Sequence, residues 1–583
     1  MISKSALRVL GALSLALGAV NGDSDGAERI HPDHEYARER ANMVFNAIHS
    51  AGRQWGSSLY HNGFGFFPVI VPEGTLFYHG THQQVPPPGP EWLAFEIEHA
   101  ENFAVSTRPR RGDGHGPPPR NGKPPPRDGK PRGQKPLGEE GFREELRRRG
   151  EHDASSDESD RRHGPSKGDN DDESRNRRGY LHTYQTTRDL NLLLLDGMSA
   201  GKTNMGTLDS QDLVLRENKT SDGGGGWDEL VRAVDLCDVV TEWGYDGLVR
   251  VEIGFEIIHC NFSSGVDLAS VTRTELYQDT MGNHELSSFQ WARAAGERYN
   301  DIGADRLRID FSSMVSGLFF PINISSSQAD RPDLMRLGTA TLDELKDIKG
   351  YLKDVATRPR RFTVNWQGLV DLIVSRFSKR LAMMAYESLP SNYFIDEVET
   401  ATLTWFDAPP LPDDANMAEY QINRTADAVQ RCRKHFLRPA LLARERWSLE
   451  DDLIYTSVDS VMQTICTDLF SVRTLLLRAS GSGSSDYKVN KQDTDDAELD
   501  RAVETGRAVV QQLVDTLGWA TWKQRQPCAP DEVLFIAMWP FGEEDDHWNP
   551  GCRSVDQIRQ PSSSYWRGHQ PPKPGPPPPR RTE

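Results

Sequence analysis

Residues 75–104, TLFYHGTHQQVPPPGPEWLAFEIEHAENFA, decide how the first half of the chain is read. Thr75 to His79 carries the aromatic and apolar residues that favour an extended strand. The strand ends at His79-Gly80-Thr81, where glycine lets backbone approach a bound group closely and Thr81 adds a hydroxyl. The proline run from Pro86 to Pro90 then turns the chain. Beyond it, Glu91 to Ala104 reads as a second strand passing into a helix.

Working outward, Glu35 to Ala51 has helical periodicity, while Phe66 to Val71 reads as a strand. Tyr180 to Thr186, Leu190 to Asp196 and Gly247 to His259 are further β-type runs bounded by turn residues. Between these strands, residues 107–178 are rich in Pro, Gly, Arg and Asp and nearly free of large apolar side chains. Such a segment cannot offset its ordering entropy by burial, so it predicts a disordered insertion. From about Glu285 the apolar spacing becomes helical, as in TLDELKDIKGYLKDV and LEDDLIYTSVDSVMQTICTDLFSVRTLLLR. Asp413-Asp414 and Ser448 with Asp451 look like helix-start signals.

The expected class is α+β. A β-rich domain (30–270) holds the insertion and precedes a helical domain (280–515). A lobe closed by Cys528 and Cys552 (516–570) and a proline-rich tail (571–583) complete it. The Ser-Gly run Ala479 to Asp486 reads as a flexible spot.

Residues 1–22 begin with Lys4 and Arg8 and continue through the apolar run Val9 to Val20, the pattern of a cleaved signal peptide. No later stretch approaches about 18 uninterrupted apolar residues, so no stable membrane span is expected. The six cysteines, Cys237, Cys260, Cys432, Cys466, Cys528 and Cys552, fall into three sequence-local pairs that suit an oxidising compartment. Their connectivity stays open. No Cys/His spacing matches a zinc site, and no metal is expected. Sequons at Asn218, Asn261, Asn323 and Asn423 fit the same secretory route. The formal charge of -18 argues against a nucleic-acid partner.

Three further motifs invite chemistry. Gly197 to Thr203 (GMSAGKT) follows an apolar strand as a phosphate-binding loop would, but the first glycine would fall at Asp196, whose carboxylate repels phosphate. Arg306, Arg308 and Asp310 read as an inter-domain ion pair, with an anion pocket as the alternative. Glu544 to His547 reads as an acidic turn.

With its signal peptide and the segments TLFYHGT, PEWLAFEIEHAENFA, GADRLRIDFSSMVS and DEVLFIAMWPFG, the chain resembles uncharacterised secreted proteins of filamentous fungi. Residues 60–270 also resemble the ADP-ribosyltransferase fold of the heat-labile enterotoxin, diphtheria toxin and PARP type. That resemblance implies NAD as cofactor and cleavage of its nicotinamide–ribose bond, as a transferase of ADP-ribose or a glycohydrolase. It implies that His79, with Gly80 and Thr81, holds the ribose and nicotinamide. Trp92, Phe95 and Phe103 are the rings available against the nicotinamide, where the family pattern has a tyrosine. Glu256 is the preferred catalytic carboxylate, and Glu252, four residues earlier, is the other candidate on the same face. The acceptor protein is not read from the sequence. Two other functions fit the residues: a non-catalytic secreted or cell-wall scaffold, and a secretory-pathway enzyme acting on a small metabolite.

Overall fold

The computed structural model describes residues 29–106, 177–219, 229–273, 285–301, 305–407, 416–480, 496–524 and 527–558. The signal peptide, almost all of the 107–178 insertion, Asp413-Asp414, most of the Ser-Gly run and the proline-rich tail lie outside the described residues.

The fold is mixed α+β. Its strands are β1 (Gly65–Val71), β2 (Leu76–Thr81), β3 (Glu91–Ala94), β4 (Val105–Ser106), β5 (Arg177–Arg178), β6 (Tyr180–Thr186), β7 (Leu190–Leu195), β8 (Gly247–Glu252), β9 (Gly254–His259), β10 (Val266–Thr272), β11 (Arg308–Ile309), β12 (Val315–Ser316), β13 (Glu532–Phe535) and β14 (Gly551–Ser554). Ten of them form one sheet in the order β10-β6-β2-β3-β9-β8-β7-β1-β11, with β12 also on β1. Among the described strands only β7 and β8 run parallel; they sit near the middle, where LNLLLL is an almost continuous apolar run and GLVRVE is buried throughout, with the charges of Arg250 and Glu252 paired. Pro68 in β1 falls between the stretches paired with β11 and with β12, so its missing N–H faces an interruption in the edge.

The α-helices among the described residues are α1 (His34–Glu39), α2 (Ala41–Ser50), α3 (Gln54–Leu59), α4 (Ile97–Glu101), α5 (Glu229–Glu242), α6 (Glu285–Gly296), α7 (Leu342–Ala356), α8 (Trp366–Ala385), α9 (Ser391–Thr402), α10 (Met417–His435), α11 (Arg438–Leu441), α12 (Leu449–Ala479), α13 (Asp496–Leu517), α14 (Glu544–Trp548) and α15 (Val555–Ile558). The long α12 begins at a capping box: Ser448 Oγ accepts from Asp451 N while Asp451 accepts from Ser448 N. It packs against α1, α2, α10 and α13, so the amino-terminal helices rest on the helical half. One hydrophobic core runs continuously from Ala37 to Ile558.

Several expectations change. The 35–51 helix is two helices, broken at Arg40, whose guanidinium donates to Phe320 O at 2.9 Å and Ile322 O at 2.8 Å. The 247–259 run is a hairpin of two strands. The sheet does not stop at 270, since β11 and β12 come from beyond 305. Asp310 pairs with neither Arg306 nor Arg308; its carboxylate accepts from Arg361 N, Phe362 N and Ser313 Oγ, stitching a loop to the sheet edge. Glu544 to Trp548 is a short helix in which Asp546 binds Arg553 and His547 is buried.

Three disulfides join Cys237–Cys260, Cys432–Cys466 and Cys528–Cys552. Asn218, Asn261, Asn323 and Asn423 are all exposed. No helix among the described residues is long and apolar enough to cross a membrane.

Candidate functional site

A cleft of about 650 Å³ opens where β2 and β3 part. The two strands pair at one position only, Tyr78 with Ala94, and splay beyond it. That register continues across the sheet, Ala94 to Glu256 and Glu256 to Arg250, so these side chains share one face. His79, Gly80, Thr81, Trp92, Phe103, Glu252 and Glu256 all border this cleft.

Phe95 does not. It alternates onto the opposite face of β3, buried edge-on against Phe77 and Phe255, and is part of the core. The aromatic ring that sequence reasoning misses is Tyr78, which lines the cleft from inside the quoted motif.

His79 fills the seam between the splayed strands. Its Nδ1–H donates to Trp92 O at 2.8 Å, and its ring lies 5.8 Å from the rings of both Phe262 and His182. Burial holds its pKa down at about 4, so the imidazole is neutral and Nε2 keeps its lone pair. That atom is buried without a hydrogen-bond partner. Gly80 lies under α4: a Cβ there would stand 1.9 Å from Ala100 O, so only glycine fits.

Glu252 and Glu256 share a face because they belong to two antiparallel strands joined at Ile253, not to one strand. Ile253 is pinned on both sides, its N–H donating to Trp539 O at 2.9 Å and its carbonyl accepting from Trp291 Nε1 at 2.6 Å. Gln54 clamps the same bend, donating to Glu252 O and accepting from Gly254 N. Gly254 sits at φ +97°, a conformation open to glycine.

The floor of the cleft is a buried ionic network. Arg250, 1% exposed, donates to Glu256, Glu229 and Gln211 at 2.5–3.1 Å. Lys202 lies 3.8 Å from Glu252 and 3.9 Å from Glu229. His99 Nε2 lies 3.2 Å from Glu252 Oε1, with its ring stacked on Trp291 at 4.9 Å. Burial alone would raise all three carboxylates, but the outcomes differ. Lys202, Arg250 and Arg232 outweigh burial at Glu229 and hold it at about 2. Lys202 and His99 likewise outweigh it at Glu252, which stays below the usual range. At Glu256 burial, reinforced by the Glu252 charge, prevails over Arg250, and the pKa rises. Two neighbouring carboxyl groups pushed in opposite directions are a common signature of acid–base sites.

Both candidate carboxylates border the cleft: Glu256, the preferred one on sequence, pairs with Arg250, and Glu252 has Lys202 and His99 beside it. Donor atoms of His99, Glu252 and Glu256 lie within 4.8 Å of one another, near enough for a shared cation. Arg250 and Lys202 already sit on those carboxylates, and an incoming metal would meet two fixed positive charges.

Lys202, His99, Glu229 and Arg250 are the site residues that sequence reasoning missed. Lys202 was within reach as the lysine of GMSAGKT, read only against a phosphate-loop spacing. Arg250 left a signal too, as one of three charges at alternate positions on the buried β8–β9 hairpin.

Residues 34–283, which include every residue of the cleft, match the family described as the YPL277C N-terminal domain. The chain is 26% identical to the uncharacterised protein YOR389W of Saccharomyces cerevisiae over an alignment of 602 positions, covering 90% of this chain and 87% of that one. It is 31% identical to the uncharacterised protein YPL277C of the same yeast over 251 positions, covering 41% of this chain and 45% of that one. No solved structure matches the chain.

Proposed function

We propose that the cleft is the active site of a secreted, ADP-ribosyltransferase-like enzyme that binds NAD or a related nucleotide and breaks the bond between its ribose and nicotinamide. The observation that carries this is Glu252: a carboxylate 6% exposed at the cleft floor, kept ionised by Lys202 and His99 and set beside aromatic walls at Tyr78, Trp92 and Phe103. As the C1′–N bond breaks, its electron pair leaves with nicotinamide, which becomes neutral, and positive charge gathers on the ribose. A fixed carboxylate in a water-poor site stabilises that charge more than it stabilises the ground state. Water or an acceptor then adds at C1′ and loses its proton. In this reading His79, which borders the cleft and is fixed through its Nδ1–H on Trp92 O, positions the ribose end of the nucleotide at the seam. The volume falls in the range usual for small-molecule sites. Three disulfides and four exposed sequons support the secretory route.

Incubation of the purified chain with NAD, with nicotinamide followed by chromatography, tests the reading. Release that falls by about 10²-fold or more in Glu252→Gln supports it. No release, together with no shift in unfolding temperature on adding NAD, overturns it.

A further inference from the structure

Lys202 and Arg250 both border the cleft, and their donors are used very differently. Arg250 donates from each of its three nitrogens, to Glu256, Gln211 and Glu229. Lys202 Nζ stands 3.8 Å from Glu252 Oε2 and 3.9 Å from Glu229 Oε2, too far for a direct hydrogen bond to either, with the Trp539 ring centre 5.7 Å away. Among the described residues no acceptor lies closer to it.

The loop that carries Lys202 holds it there. Ala200 N donates to Val251 O at 2.9 Å, which ties the loop to β8, while Gly201 N and Thr203 N close turns on Met198 O at 2.8 Å and on Gly201 O at 3.0 Å. Glu229, on the other side, opens α5. An ammonium fixed just beyond reach of two carboxylates suits a small group that accepts from the ammonium and donates to a carboxylate at once. An anion is repelled by Glu229 and Glu252: burial pushes both carboxyls up, but Lys202 and the other cations beside them keep both ionised. A cation is repelled by Lys202 and Arg250. A hydroxyl is donor and acceptor in one atom, and two hydroxyls on adjacent ring carbons can serve one carboxylate each. Water meets the same need one molecule at a time, so a diol that binds releases two waters.

We propose that Lys202, Glu229 and Glu252 form a subsite for a vicinal cis-diol, in which Lys202 selects ribose over its 2-deoxy counterpart. The choice of ribose rests on the NAD reading; the clamp itself is defined by the three side chains.

Two measurements on the full chain test it. The first needs no turnover: ligand-observed NMR with 1,4-anhydro-D-ribitol, which carries the cis-diol, against 1,4-anhydro-2-deoxy-D-ribitol. The diol is expected to bind about ten-fold tighter, and Lys202→Met to remove that preference. The second follows nicotinamide release from nicotinamide riboside and from its 2′-deoxy counterpart, each corrected for spontaneous hydrolysis. Lys202→Met is expected to lower kcat/KM for the riboside about ten-fold more than for the deoxy compound. A diol preference with no nicotinamide release supports the subsite while counting against the NAD reading. Equal binding of the two anhydrosugars by the wild-type chain, a comparison that stands even where Lys202→Met does not fold, overturns the proposal, as does a preference that survives in folded Lys202→Met.

Discussion

His99 Nε2 lies 3.2 Å from Glu252 Oε1, and both side chains are almost wholly buried, at 3% and 8% exposure. The glutamate raises the imidazole pKa against the opposing effect of burial, and the imidazole helps to hold the carboxylate ionised. Each partner helps the other to carry charge there, with Lys202 the larger influence on Glu252.

Removing one member should therefore cost more than the pair contributes net. His99→Ala is expected to destabilise the protein by about 3–5 kcal/mol, because Glu252 would be left with only Lys202 at 3.8 Å. His99→Gln, which can retain a donor, should lose only about 1–2 kcal/mol. Chemical denaturation of the two variants checks this; a loss below about 1 kcal/mol in His99→Ala would show that water already solvates the site.

Glu96 gives a pH dependence with a definite sign. Burial raises its pKa from 4.5 to about 7, against the pull of His99, Arg306 and Arg298. A folded pKa above the unfolded one means the native state holds the proton more tightly. The stabilising contribution is complete below about pH 4.5 and is lost as pH rises through about 7. Glu96→Gln mimics the protonated form and should avoid that loss. Relative to wild type it should gain on the order of 2 kcal/mol between pH 5 and pH 8, read from urea unfolding at both pH values. Parallel pH curves would rule out a buried, neutralised Glu96.

Among the strands of the sheet, Phe66 to Val71, Tyr180 to Thr186 and Leu190 to Asp196 were legible because they announce themselves by composition. Gly247 to His259 was misread as one strand because Gly254 is a slight turn signal within an otherwise β-type run, and the bend is held by Trp291, Trp539 and Gln54, residues far away in sequence. The same non-locality hid His99, Lys202 and Glu229, whose partners are 153, 50 and 27 residues distant when counted from Lys202 and His99 to Glu252 and to Glu229. Phe95 was misplaced for a local reason, as alternation beside Trp92 and Ala94 carries it into the core.

The Cys237–Cys260 disulfide connects the middle of α5 to the residue after β9. It thus ties the helix whose first residue is Glu229 to the strand that carries Glu256. Replacing both cysteines by alanine should lower stability by about 2–5 kcal/mol. The same change should loosen the Arg250 network, seen as faster amide exchange across β8 and β9 than across β1 and β7. Uniform exchange in all four strands would mean that the ionic network holds without the crosslink.

Asp451 joins three parts of the chain at one buried carboxylate. Its Oδ1 accepts from Ser312 Oγ at 2.7 Å and from Trp366 Nε1 at 2.8 Å, while Oδ2 accepts from Ser448 N at 3.1 Å. Ser312 follows the edge strand β11, Trp366 opens α8, and Ser448 caps α12, so one side chain registers the sheet against two helices. Asp451→Ala leaves the Ser312 hydroxyl and the Trp366 indole N–H without acceptors and removes the capping box, at an expected cost of about 3–5 kcal/mol. Asp451→Asn keeps one acceptor oxygen and should cost roughly half as much. Because a single core links the sheet to the helices, thermal unfolding of Asp451→Ala should remain one transition at a lower midpoint. Two separated transitions would show instead that sheet and helices fold as independent units, with Asp451 merely bridging them.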